Sequence, residues 1–138
     1  MENENKGNEF NKIDYWIETS EYDLETAKVM LKSKRYIYVG FMCNLAIEKI
    51  LKAYYVYAKS EMPPYTHNLR RIATEANLYK EMNEKQKDFV DDIIPFNIEG
   101  RYPEYKQMLY DALNKEKCEK IIKGTEEFIK WTKIKLEN

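Results

Sequence analysis

The residues best suited to hold a phosphate or move a proton fall in three short blocks of this chain. They are Leu45-Ala46-Ile47-Glu48-Lys49-Ile50-Leu51-Lys52-Ala53, Thr66-His67-Asn68-Leu69 and Gly100-Arg101-Tyr102-Pro103. A carboxylate at Glu48, among Ala46, Ile47, Ile50 and Leu51, is costly to bury unless it is paired. Lys52 lies one helical turn later, in the favourable Glu-to-Lys order. Two readings follow: an ordinary helical ion pair, or a polar element of an interface or ligand cleft. Asp23, between Tyr22 and Leu24, has the same two readings. His67 is the only histidine. It can serve as an acid or base near neutral pH, or as a helix-start residue with a structural hydrogen bond. Arg101 sits between a freeing Gly100 and a stiffening Pro103, flanked by Tyr102 and Tyr105. A guanidinium among aromatic rings suits phosphate contact and base stacking. Its alternative is a pair with a carboxylate such as Glu48 or Glu99 that fixes the loop.

Several chemistries are absent from the sequence. With one histidine, no Glu-x-x-His and no paired cysteines, neither a histidine-rich metal site nor a di-iron bundle can be assembled. Gly-rich phosphate loops, G-x-S-x-G and H-E-x-x-H do not occur, and no cofactor is expected. Twenty-three basic and 24 acidic side chains give a net charge of −1, so any nucleic-acid contact must come from a local patch. No apolar run approaches a membrane span, and the polar start Met1 to Asn5 does not read as a signal peptide. The expectation is a cytoplasmic protein with Cys43 and Cys118 as two buried, reduced thiols. Twelve tyrosines favour an interaction surface over any particular chemistry.

Helices must position these blocks. Ile13, Ile17, Leu24, Ala27 and Leu31 recur at helical spacing and predict a first helix over 11–33, with a break at Ser33-Lys34. The second, 35–59, is apolar over most of its circumference and is therefore central; Gly40 permits close approach of another backbone. Met62-Pro63-Pro64 ends this segment. Thr66 is expected to cap a short third helix carrying Leu69, Ile72, Ala73 and Ala76. Asn83 and Gln86 form a capping-box pattern for a fourth, which stops near Pro95. An irregular stretch over 97–103 and a helical turn at 107–112 precede a last helix from about Asn114. The reading is an all-α, up-and-down bundle of four to five helices over 11–138, behind a disordered polar tail at 1–10.

In order and spacing, Asp23-Leu24, Ala46-Ile47-Glu48-Lys49 with Leu51-Lys52-Ala53, Thr66-His67-x-Leu69 and Arg101-Tyr102-Pro103 resemble the HEPN family of small helical prokaryotic proteins. The resemblance covers about 15–129. It implies a homodimeric helical bundle and a frequent partner, a minimal nucleotidyltransferase, often in a toxin–antitoxin pair. Many HEPN proteins are metal-independent endoribonucleases whose signature is an arginine followed, after four to six residues, by histidine. Here those positions after Arg101 are Lys106, Gln107 and Met108, and no arginine completes the signature. The Arg-Tyr-Pro branch resembles HEPN proteins that bind nucleotides or assist the partner. That role suits Arg101, Tyr102 and Tyr105, with Lys49 and Lys52 for phosphate and Glu48, His67 and Asp23 behind them. Tyr102 or Tyr105 would also be a target for nucleotide transfer by such a partner. The primary expectation is a non-enzymatic binding module; the alternative is a ribonuclease toxin with a non-standard site around Arg101 and His67.

Overall fold

The computed structural model describes residues 12–137, and within them the chain is all-α, with no strand. Six helices follow one another: α1 (Ile13–Lys32), α2 (Tyr36–Lys59), α3 (Leu69–Glu75), α4 (Glu84–Ile93), α5 (Pro103–Ala112) and α6 (Lys115–Leu136). Single 3-10 turns occur at Tyr79–Glu81 and Ile94–Phe96. The expectation for 1–10 lies outside the described residues.

The central position expected for α2 is observed. Val39, Cys43, Ala46, Ile47, Ile50, Leu51 and Ala53 are all fully buried, which takes up most of its circumference. Leu24 and Ala27 of α1 pack on one side of it, and Cys118, Ile122, Phe128 and Ile129 of α6 on another. Removing each large aliphatic side chain from water contributes roughly 1.5–3 kcal/mol, so this helix is the main source of fold stability.

The directions of the long helices follow from their pairings. α1 and α2 are antiparallel, joined by a tight turn in which Lys34 adopts φ 62° and the Arg35 amide donates to Met30 O at 2.8 Å. Lys28 meets Glu126 at 3.1 Å and Lys133 meets Glu21 at 2.9 Å, so α6 runs antiparallel to α1 and hence parallel to α2. Two helices in the same direction need a return crossing, and the segment containing α3, α4 and α5 supplies it. This crossing carries two of the three sequence blocks.

Local signals account for most helix ends. Asn83 accepts from the Gln86 amide while Gln86 Oε1 accepts from the Asn83 amide, the full capping box at α4. Asn114 caps α6 through the Lys117 amide at 2.8 Å. Three details differ from expectation. Asn68, not Thr66, caps α3 by accepting from the Arg71 amide; the Thr66 hydroxyl accepts from the Asn68 amide one step earlier. The region over 103–112 is a complete helix, because Pro103 presets φ at its first position; only Leu109 in it is buried, so its apolar periodicity is faint. At Gly40 the close neighbour is a side chain: an added Cβ would lie 2.6 Å from the Phe96 ring. Cys43 and Cys118 are free and buried.

Candidate functional site

The first block lies on the α1–α2 seam. Glu48 is only 4% exposed, and its two oxygens serve two partners. Lys52 Nζ lies 3.0 Å from Oε2 and His67 Nδ1 lies 2.8 Å from Oε1. Lys52 is itself buried, with its ammonium 5.4 Å from the centre of the Trp16 ring. Alongside, Lys49 pairs with the buried Asp23 at 2.6 Å, and the Ser20 hydroxyl donates to Ala46 O at 2.6 Å. Of the two readings of Glu48, the helical ion pair with Lys52 is present, and the same carboxylate also holds the histidine. Lys49 and Lys52, in contrast, have their charges engaged within the seam, apart from the third block.

His67 stands just before α3, held by that buried carboxylate but with its side chain 57% exposed. A carboxylate only accepts, so a neutral His67 presents its Nδ1–H to Glu48 and leaves Nε2 as the atom able to accept a proton. The ring lines an open groove of about 570 Å³. The groove is lined by His67, Asn68, Leu69 and Arg70 at the start of α3, Asp91 and Ile94 at the end of α4, and Asn97 and Arg101 of the loop before α5. The fold thus brings the second and third blocks to one site. Asn44, buried in α2, donates from Nδ2 to Ile93 O at 3.0 Å and ties the end of α4 to the core.

Arg101 is fixed without a carboxylate. Gly100 turns the chain at φ 73°, Arg101 Nε donates to Asn97 O at 3.3 Å, and the guanidinium centre lies 4.8 Å from the centre of the Tyr105 ring. The Tyr105 hydroxyl donates to Pro95 O at 3.1 Å, anchoring the platform beneath the arginine. Among the described residues no carboxylate, neither Glu48 nor Glu99, lies within ion-pair reach of Arg101. Tyr102 is 81% exposed at the start of α5 and is not part of the groove wall.

Several groove residues escaped sequence reasoning. Arg70 forms an ion pair with Asp91, and Asn97 gives its carbonyl to Arg101. The first contact joins α3 to α4 and the second lies within the loop before α5; nothing in the local sequence signals either. Asn44 had a weak signal, an amide in an otherwise apolar helix. Among the described residues no cluster of three His, Cys, Asp or Glu side chains could hold a metal ion.

Chemically, the groove offers a restrained guanidinium with open coordination, an imidazole backed by a buried carboxylate, and a neutralised Arg–Asp pair between them. Such a set has the donors that charge-assisted hydrogen bonds to an anion require. No helix among the described residues is long and apolar enough to cross a membrane. No curated protein and no solved structure matches the chain. The HEPN domain profile, however, matches residues 13–135, from the first residue of α1 to the last turn of α6, and the chain belongs to the HEPN domain family.

Proposed function

We propose that this HEPN protein is a binding module whose His67–Arg101 groove takes the phosphate of a nucleotide or of RNA. The observation that carries the reading is Arg101 itself: an arginine held by a carbonyl and an aromatic ring, free of carboxylates, on the wall of an open groove. Contact with the Tyr105 ring restrains the guanidinium, so less side-chain freedom is lost when an anion binds. Tyr102, exposed beside it, is available for stacking on a base or for contact with a partner. The module works as a cytoplasmic homodimer, with a minimal nucleotidyltransferase as the partner in a toxin–antitoxin or related system. Exposed Tyr22, Tyr65 and Tyr110 fit such protein contacts. The missing Arg-to-His spacing supports a non-enzymatic role.

Calorimetric titration of the protein with AMP and with a short single-stranded RNA tests the reading. Arg101→Ala is expected to weaken binding about tenfold to a hundredfold, the loss of one charge-assisted contact. Because Arg101 makes no ion pair among the described residues, the variant should unfold within about 0.5 kcal/mol of wild type. Equal affinity in the two proteins would remove the groove from consideration.

A second reading has an observation of its own: the Glu48-backed His67 lines the same groove as Arg101. In a metal-independent ribonuclease, His67 Nε2 would take the proton of a ribose 2′-hydroxyl as that oxygen attacks phosphorus, with Arg101 stabilising the charge on the phosphorane. The P–O5′ bond would then break, leaving a 2′,3′-cyclic phosphate and a 5′-hydroxyl that takes its proton from the His67 imidazolium. RNA cleavage in the presence of a chelator, lost in both His67→Gln and Arg101→Ala, would replace the binding-module reading with this one. The binding-module reading expects intact RNA from all three proteins.

A further inference from the structure

A second concave surface lies between α4 and α6 and shares no wall residue with the His67–Arg101 groove. It is a cleft of about 430 Å³, with Phe89 of α4 and Phe128 of α6 as its apolar surfaces and Lys85, Lys120 and Lys123 around it. A smaller hollow of about 170 Å³, lined by Asp92, Ile93, Phe96 and Ile121, adjoins it through Phe89 and Lys120.

The cleft depends on one small residue. Gly124 sits in the middle of α6, where glycine is less favourable than alanine. A Cβ there would lie 2.5 Å from the Phe89 ring, so the bare backbone lets that ring settle against the helix and leaves space beside it. The ring is only partly buried.

The charges around the cleft lean one way. Three lysines face a single carboxylate in the lining, Glu127. Lys85 and Lys123 have no ion pair among the described residues, and the exposed Lys120 has only a 3.7 Å contact with Glu116. The polar side chains at the rim, Asn83 and Gln86, are engaged in the capping box of α4. Apolar rings beside two ammonium groups without an ion pair among the described residues, and a third only loosely paired, define the complementary ligand: a flat apolar body carrying a negative group.

We propose that the α4–α6 cleft binds a planar aromatic anion, its ring against Phe89 and its phosphate or carboxylate among Lys85, Lys120 and Lys123. A nucleotide and an aromatic acid share this chemistry. The test is titration of the full ¹⁵N-labelled chain with AMP and, separately, with 1-naphthoate, read from amide chemical shifts. Saturable shifts at Lys85, Phe89 and Gly124 are expected with at least one probe; AMP marks the nucleotide source and 1-naphthoate the aromatic-acid source. The triple variant Lys85→Gln, Lys120→Gln, Lys123→Gln should bind about tenfold more weakly, through lost charge-assisted contacts, at an unchanged melting temperature. Gly124→Ala should also weaken binding by displacing the Phe89 ring. Arg101→Ala should leave these shifts intact, which separates this site from the His67–Arg101 groove. Absence of saturable shifts at the three amides with both probes, shifts confined to His67 and Arg101, or wild-type affinity in the triple variant would each overturn the proposal.

Discussion

At the scale of single residues, Glu48 connects stability to the site. It is buried, and one of its oxygens holds a buried lysine while the other holds the groove histidine. Glu48→Gln preserves shape but leaves Lys52 as a buried cation without its counter-charge, and removing one member of such a pair costs about 3 kcal/mol or more. Urea unfolding should show that loss, and Glu48→Gln with Lys52→Met should recover most of it because neither charge is then left alone. The same single variant should release His67 and weaken anion binding in the groove. A Glu48→Gln protein as stable as wild type would mean that water, and not Glu48, neutralises Lys52. Arg101 is the opposite kind of residue. On the proposed reading it contributes to recognition and not to folding, so its substitution should separate the two properties that Glu48 combines.

At the scale of elements, Gly40 and Phe96 link the central helix to the loop that carries Arg101. Phe96 ends the 3-10 turn after α4, one residue before the carbonyl that positions Arg101, and its ring rests over Gly40. Gly40→Ala would gain about 1 kcal/mol of helix propensity. Its methyl group, however, would lie 2.6 Å from that ring, and overpacking of this kind costs roughly 1–3 kcal/mol. We expect a net loss of about 1 kcal/mol in thermal unfolding, together with weaker ligand binding as the loop shifts; increased stability would show that the ring moves aside freely. This contact also marks where sequence reading reaches its limit. α1, α2, α4 and α6 were legible because each combines a helical apolar period with a local stop or cap, such as Ser33-Lys34 or the Asn83–Gln86 box. α5 reads as no more than a turn because only Leu109 faces the core, and Thr66 reads as the cap of α3 although the Asn68 side chain two residues on takes that place. The site was legible as residue types, since Glu48, His67 and Arg101 stand out by chemistry. Their grouping was not, because the return crossing that joins His67 to Arg101 is set by tertiary contacts such as Asn44 with Ile93 and Tyr105 with Pro95.

At the scale of the whole molecule, the three long helices form the packed core and the groove sits on the crossing segments outside it. That core is tuned by protons as well as by packing. Burial pushes the Cys43 thiol up from 9.0 to about 12 and the Cys118 thiol up to about 11. Burial likewise raises Tyr54 and Tyr55, and the hydrogen bond to Glu126 raises Lys28. All five groups hold their protons more tightly in the folded chain than in the unfolded one, so the folded state binds more protons in alkali and stability falls as pH rises. Below about pH 9 the thiols are protonated in both states and impose no slope. Between about 9 and 12 they ionise first in the unfolded chain, and each fully buried group can remove up to about 1.4 kcal/mol per pH unit. Urea midpoints should therefore be level from pH 7 to 8.5 and decline steeply by pH 10.5. The thiols should resist a disulfide reagent at pH 8 until the protein is unfolded. Cys43→Ala with Cys118→Ala should flatten the decline between pH 9 and 10.5, leaving the smaller part due to the tyrosines and Lys28. An unchanged slope in that double variant would show that the thiols ionise inside the bundle, which would require water to reach the α2–α6 interface.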